Sequence, residues 1–359
     1  MEIIQPDVKS MLFDDTLKFY NILLRDIDNA SDYVYMEFYK FGNDAIGRRF
    51  RDTLTRKARQ GIKIRLLLDS WGTSLPESFF SDLIKYGGEV RFFEKIRFNL
   101  DFFTRSHRRN HRKIVVIDDK ISYLGSSNIT DYNMVWRELI LRLEGKISLT
   151  FKGIFLQMFD IYNTYMIFKS IHVEPVYAEG FEIIRDVPSI RKQTVKKKYS
   201  RLIKSAKKKI VIETPYFLPG FLVRKAMIDA VKRGVKVMVL LPRQSDVRLV
   251  DILRNKYLGP LHEKGVQFHF FAPQNLHAKL LVVDDDTFCV GSPNFDFRSF
   301  RFQHEIILCG RDRRILNKLR EHIRGTLAEC EPFNYARWKT RPAIEKFFEW
   351  LIVPFRHLL

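Results

Sequence analysis

The sequence predicts an α/β protein made of two related α/β/α halves, packed about a pseudo-twofold axis. The sheets are expected to be mixed and largely parallel, with the active site at the interface. Three observations carry this. A strand-helix-strand order occurs twice along the 359 residues. Each copy holds one His-x-Lys-x4-Asp pattern: His111, Lys113 and Asp118, then His277, Lys279 and Asp284. Each pattern runs into a short turn, Gly125-Ser126-Ser127-Asn128 or Gly291-Ser292-Pro293-Asn294, and then reaches a carboxylate. Glu138 follows the first His by 27 residues and Glu305 the second by 28.

The elements follow in order. Residues 33–41 have strand character and contain Glu37. Residues 44–60 have helical spacing, which Gly61 ends, and residues 62–68 form an apolar strand. Ile114-Val115-Val116-Ile117 is a continuous apolar run, as expected of a strand buried on both faces. Residues 149–168 are the richest apolar stretch, but Lys152, Asp160 and Asn163 interrupt it. It reads as an amphipathic core helix, short of the ~20 uninterrupted apolar residues of a membrane span. Pro175, Gly180 and Pro188 break the periodicity over 171–195, the expected join. The order then repeats: strand 209–213, helix 221–233, stop at Gly234, strand 235–241, and the run Leu280-Leu281-Val282-Val283. Such units imply parallel pairing through right-handed crossovers. The expected divisions are 1–170 and 196–335 for the halves, 171–195 for the connection and 336–359 for a tail.

The doubled pattern has direct chemical meaning. His and Lys at i and i+2 near the start of a strand share a face. A lone His-x-Lys is common, but two copies with matched escorts indicate a catalytic pair. One His can attack phosphorus and the other can move protons. Lys113 and Lys279 supply fixed positive charge for phosphate oxygens, and Asn128 and Asn294 can donate to the same oxygens. Glu138 and Glu305 can hold a ring nitrogen and fix a tautomer. Asp118 and Asp284 join the candidate set, although Asp at a strand end before a turn is often only a turn former. No cofactor is expected. No metal is expected either, because lysines provide the cation.

The formal charge of +20 calls for an anionic partner, either membrane lipid or nucleic acid. Cys289, Cys309 and Cys330 are too few and too odd in number for a disulfide framework, which points to a reducing compartment. The acidic start, with Glu2, Asp7, Asp14 and Asp15, lacks a basic-then-apolar leader. Basic residues concentrate between Arg191 and Lys209, as a solvated helix face or a headgroup-attracting surface. Arg105, His107, Arg108 and Arg109 sit beside Phe98, Leu100, Phe102 and Phe103, which suits a site mouth for an anionic lipid or a loop packed on the second half. Residues 344–359 mix Phe347, Phe348, Trp350 and Leu351 with Lys346 and Arg356. That mixture fits an interfacial segment, with a docked C-terminal helix as the alternative.

The doubled motif resembles the phospholipase D superfamily and is most similar to the bacterial cardiolipin synthases. The likeness is carried by Arg108-Arg109-Asn110-His111-Arg112-Lys113, by Trp136-Arg137-Glu138 with Glu144-Gly145, and by Thr214-Pro215-Tyr216-Phe217 with Ser245-Asp246. The run from Gly291 to Phe300 carries it most strongly. Ser126-Ser127 departs from the two glycines often found there, and the N-terminal anchor of many synthases is not expected. The resemblance implies a phosphatidyltransferase that uses phosphatidylglycerol as donor and acceptor, through a phosphohistidine on His111. It implies a peripheral protein on the cytoplasmic face of a bacterial inner membrane, with nucleic acid an unlikely partner. A phospholipase D-type hydrolase and a superfamily nuclease would use the same residues.

Overall fold

The computed structural model describes residues 8–94, 108–162, 173–189 and 192–354. The first half runs β1 (Lys9–Phe13), α1 (Thr16–Asp28), β2 (Tyr33–Phe38), α2 (Ala45–Arg59), β3 (Lys63–Asp69), α3 (Ser81–Lys85) and β4 (Glu89–Phe93). It continues through β5 (Arg109–Asn110), β6 (Ile114–Ile117), β7 (Ile121–Gly125), β8 (Ile140–Glu144) and α4 (Ile147–Ile161). The second half runs β9 (Val176–Ala178), β10 (Phe181–Asp186), α5 (Thr194–Ser205), β11 (Lys209–Glu213), α6 (Phe221–Lys232), β12 (Lys236–Pro242), α7 (Arg248–His262) and β13 (Gln267–Phe271). It ends with β14 (Leu280–Val283), β15 (Thr287–Gly291), α8 (Phe297–Phe302), β16 (Gln303–Gly310), α9 (Arg313–Ala328), β17 (Cys330–Pro332), α10 (Tyr335–Lys339) and α11 (Ala343–Ile352).

Two sheets form, ordered β1-β8-β7-β6-β2-β3-β4 and β17-β13-β12-β11-β14-β15-β16-β10-β9. Among the described strands, parallel pairing is confined to β2-β3-β4, to β11-β12-β13 and to the short β5-β16 contact. The remaining pairs are antiparallel, so the expectation of largely parallel sheets is corrected. The strand-helix-strand units pair in parallel as predicted. The apolar runs after each Lys instead open hairpins, β6-β7-β8 and β14-β15-β16, whose tight turns allow only antiparallel return. Asp118 and Asp119, and likewise Asp284 and Asp285, occupy positive φ in those turns. Gly61 and Gly234 also take positive φ, at 84° and 83°, where they end α2 and α6 as expected.

The apolar runs feed two cores at once. In β6, Ile114 and Val116 face a central cluster while Val115 and Ile117 face an outer one under α1 and α2. In β14, Leu280 and Val282 join the same central cluster while Leu281 and Val283 face the outer core under α5, α6 and α7. The central cluster takes in α4 and α9 and joins the inner faces of both sheets, which fixes one half against the other. Each fully buried large side chain there, such as Phe151 or Phe155, contributes about 1.5–3 kcal/mol.

Three expectations change. Much of 171–195 is folded rather than linking, because β9 and β10 extend the second sheet beside β16. Cys289 and Cys309 are cross-strand partners joined as a disulfide, a pairing that a count of cysteines cannot reveal. The tail docks as well as exposes. Trp338 donates to Asn255 O at 2.9 Å on α7, Arg341 pairs with Glu349 at 2.8 Å, and Ile352 and Val353 join the second outer core. Ile344, Phe347, Phe348, Trp350 and Leu351 stay exposed. Residues 1–7, 95–107, 163–172, 190–191 and 355–359, with the expectations placed on them, lie outside the described residues.

Candidate active site

The two motifs meet where the halves exchange strands. β5 pairs with the start of β16, and His111 N donates to His304 O at 3.0 Å. The mirror contact pairs Leu276 with Arg137, and His277 N donates to Arg137 O at 2.8 Å. Each His thus enters beside the strand that carries the other half's glutamate. His111 Nδ1 lies 3.0 Å from Glu305, and His277 Nδ1 lies 2.9 Å from Glu138. The pairing is crossed, and the near-equal sequence offsets concealed it. With Nδ1 held, Nε2 of each ring has no hydrogen-bond partner among the described residues and is free for chemistry.

The supports are duplicated. Glu138 accepts from Ser126 Oγ, and Glu305 accepts from Ser292 Oγ. Asn133 Nδ2 also donates to Glu138, at 2.5 Å. Sequence reasoning missed these three groups as site residues, although both serines sat in the turns it singled out. Lys113 Nζ donates to His111 O and Lys279 Nζ to His277 O, each at 2.7 Å. Those bonds hold both ammonium groups beside the rings. Asn128 Oδ1 accepts from Lys40 N at 3.2 Å, which orients its amide, and the backbone N–H of Asn294 donates to Ser299 Oγ at 3.0 Å. Tyr39 meets the His111 ring edge-on at 5.2 Å between centroids, and Trp136 packs on His277 at 5.0 Å. Eight of the ten predicted residues are therefore gathered.

Asp118 and Asp284 are not. They sit at the opposite ends of β6 and β14 from the histidines. Asp118 accepts from the backbone of Ser31, Asp32 and Tyr33, and Asp284 from Lys207, Lys208 and Lys209. Each fastens the start of a neighbouring strand, so the turn-forming role holds and a catalytic role does not. Arg109 is also corrected from the site mouth. It is fully buried in an ion pair with Asp69 at 2.9 Å, and Arg112 pairs with Glu37 at 2.7 Å. These pairs clamp the first motif onto β2 and β3.

The electrostatics of the two halves differ. Burial holds His111 well below the ordinary imidazole range, with Lys113 and Lys279 pushing the same way. Burial also lowers His277, against the opposing pull of Glu138. Burial pushes Glu305 up to about 7. In Glu138 burial works upward too, but the charges of His277 and Lys279 and the Ser126 hydrogen bond outweigh it and hold the carboxyl low. Burial brings Lys113 down to about 7 and Lys279 to about 8. Among the described residues no three His, Cys, Asp or Glu side chains gather as a metal would require.

The lysine values carry a prediction. An anion binds the ammonium forms, which empty as pH rises through about 7 and then 8. The affinity for tungstate, an anion whose own charge is constant in this range, is therefore expected to fall by up to about tenfold per pH unit between about 7 and 8 and by up to about a hundredfold per unit above both values. Calorimetry should also register proton uptake on binding near pH 8. An affinity that is flat from about pH 6 to 9 would sink this account of the lysines.

Comparison with known proteins agrees with this geometry. The family model described as "Cardiolipin synthase, PLD-like domain" matches residues 23–159 and 199–326, one match for each half. The chain is 32% identical to a cardiolipin synthase of Listeria monocytogenes over 332 residues, covering 89% of this chain and 69% of the relative. It is 31% identical to the major cardiolipin synthase of Bacillus subtilis over 336 residues, with the same coverage. In fold it is similar to the crystal structure of a phosphatidylserine synthase of Haemophilus influenzae, with a TM-score of 0.78. That match covers 98% of this chain and 95% of the other at 13% identity, a likeness of architecture alone. Two complete motifs, crossed at one interface and matched by the model in both halves, make this chain a member of the cardiolipin synthase, phospholipase D-like family.

Proposed function

We propose that the protein is a phosphatidyltransferase of cardiolipin synthase type that works through a phosphohistidine on His111. The observation that supports this best is the crossed pairing of each His with the other half's glutamate. His111 is the more strongly neutralised imidazole and is backed by a carboxyl raised to about 7, so its Nε2 lone pair is available for attack. Burial lowers His277 as well, but the more acidic Glu138 opposes it and supports the imidazolium that donates a proton.

The steps balance as follows. His111 Nε2 attacks the phosphorus of phosphatidylglycerol, forming a P–N bond as the P–O bond to the terminal glycerol breaks. His277 gives its proton to that glycerol oxygen, and glycerol leaves. His277 then takes the proton of a hydroxyl on a second phosphatidylglycerol. The freed oxygen attacks phosphorus, the P–N bond breaks, and cardiolipin departs. Lys113, Lys279 and the amides of Asn128 and Asn294 stabilise charge on the phosphoryl oxygens during both displacements.

No helix among the described residues is long and apolar enough to cross a membrane. Attachment is read as peripheral, at the cytoplasmic face of a bacterial inner membrane, with the exposed apolar face of α11 against lipid. The test is incubation of the purified full chain with phosphatidylglycerol vesicles, followed by mass spectrometry. Cardiolipin and glycerol are expected in equal amounts. Phosphatidic acid without cardiolipin identifies a hydrolase, and unchanged lipid alongside cleaved DNA or RNA identifies a nuclease.

A further inference from the structure

A second cluster of cations lines the outer helices of the second half. Two neighbouring cavities, of about 340 and 590 Å³, share Lys196, Leu222 and Arg301. Lys256 and Arg224 line the first, and Lys197, Arg201 and Lys204 line the second. No carboxylate lines either one. Among the described residues, Lys196, Lys197, Arg201, Lys204 and Lys256 make no ion pair, whereas many other basic side chains of this protein do. Clustered cations left without counterions repel one another and destabilise the fold, so such an arrangement signals an external anion.

The rim is apolar. Phe221 is 67% exposed and Leu222 is 55% exposed at the start of α6, directly beside the cations. Burying these two side chains in water-free surroundings is favourable, whereas a nucleic-acid phosphate or a free sugar phosphate offers them nothing. Basic groups with adjacent exposed aromatic and aliphatic side chains match the boundary between headgroups and acyl chains. α7 lines the first cavity through Lys256 and Tyr257 and also carries the docked tail through Asn255. α11 packs against the same helix.

We infer that the groove between α5, α6, α7 and α8 is a docking site for the phosphate headgroup of an anionic bilayer phospholipid, with Phe221 and Leu222 inserted beside it. This rests on the reading of the protein as a lipid enzyme and adds a binding site separate from the catalytic one. α8 links the two. Phe297 and Arg301 face the groove, while Asn294, just before this helix, belongs to the catalytic set, and Arg298 adds to the charge around His111. Lipid in the groove thereby fixes the catalytic mouth relative to the bilayer surface.

The test uses the full chain and vesicles of phosphatidylcholine alone or mixed with phosphatidylglycerol, read by co-sedimentation. A groove variant carries Lys197→Gln, Arg201→Gln, Lys204→Gln and Lys256→Gln. A control variant removes the same charge from the first half, with Lys18→Gln, Arg48→Gln, Lys63→Gln and Lys120→Gln. The groove variant is expected to lose at least about tenfold in affinity for the anionic vesicles, and the control severalfold less. Phe221→Ser with Leu222→Ser is expected to weaken binding without changing its salt dependence. All variants should melt like the wild type by circular dichroism and keep their activity on a short-chain soluble donor. Equal losses in groove and control variants, or no loss in the groove variant, overturn the site. So does glycerol 3-phosphate if it binds the wild-type groove in solution and fully displaces the protein from vesicles, since the occupant is then a soluble phosphoester. If the wild type makes no cardiolipin from any donor, the enzymatic reading fails while sedimentation still decides the docking site.

Discussion

His111→Ala and His277→Ala are each expected to lower transfer from phosphatidylglycerol by at least about 10⁴-fold, because each ring has a role no neighbour can assume. The two variants should part company on a donor whose leaving group needs no proton, such as a phosphatidyl ester of 4-nitrophenol. His277→Ala should still release a burst of nitrophenolate and accumulate lipid on His111, since only the acid is missing. His111→Ala should give no burst, since the nucleophile is missing. The crossed pairing extends the test. Glu305→Gln should impair the burst, because Glu305 orients His111 at 3.0 Å. Glu138→Gln should spare the burst and slow turnover on the natural donor, because Glu138 serves His277 at 2.9 Å. Losses of about 10²–10⁴-fold are expected for these isosteric changes. Acid-quenched enzyme labelled on His277 instead of His111 would reverse the assignment of roles. A Glu305→Gln variant with an intact burst would contradict the crossed support.

Much of this site could be read from the chain because the proposed catalytic residues and strand starts coincide. His111 and Lys113 immediately precede β6, and His277 and Lys279 precede β14, so the apolar runs that define the strands also locate the chemistry. Which glutamate serves which histidine was hidden by symmetry. Glu138 and Glu305 lie at nearly equal offsets from their own motifs, and only the exchange of β5 and of Arg137 across the interface decides the pairing. Arg109 and Arg112 illustrate a different loss of information. A sequence shows their charge but not Asp69 and Glu37, which come from β3 and β2 and turn two arginines beside His111 into buried clamps. Asp118 and Asp284 recur with the motif for a mechanical reason. The hairpin after each of β6 and β14 needs a residue that tolerates positive φ, and that residue's carboxylate ties down the start of the neighbouring strand, β2 or β11.

One symmetry between the halves is broken, and it carries the second large effect. Glu37 pairs in register with Ile114, and Glu213 pairs with Leu280, so the two glutamates are equivalent. Glu37 is neutralised by Arg112, the middle residue of the first motif. The second motif has Ala278 there, so Glu213 needs another cation. His322 of α9 supplies it, with Nε2 at 2.7 Å from Glu213 and Nδ1 at 3.0 Å from Asp14 of the first half. Burial disfavours the imidazolium, but Glu213 and Asp14 outweigh it and raise its pKa to about 9. His322→Leu is therefore expected to destabilise the protein by about 3–5 kcal/mol near neutral pH, because it strands a buried carboxylate. The folded pKa is raised above the unfolded value of about 6.5, so this stabilisation is complete below about 6.5 and is lost as pH rises through about 9. Its size from the shift alone is on the order of 3 kcal/mol, in line with the mutational figure. Urea unfolding of wild type and His322→Leu should show a stability gap that narrows across that window and is smallest above it. Glu213→Gln, which keeps the shape and removes the charge, should flatten the wild-type dependence on pH. A gap that stays constant from about pH 6 to 10 would show that His322 is neutral in the folded protein, and that Glu213 is balanced by some other group.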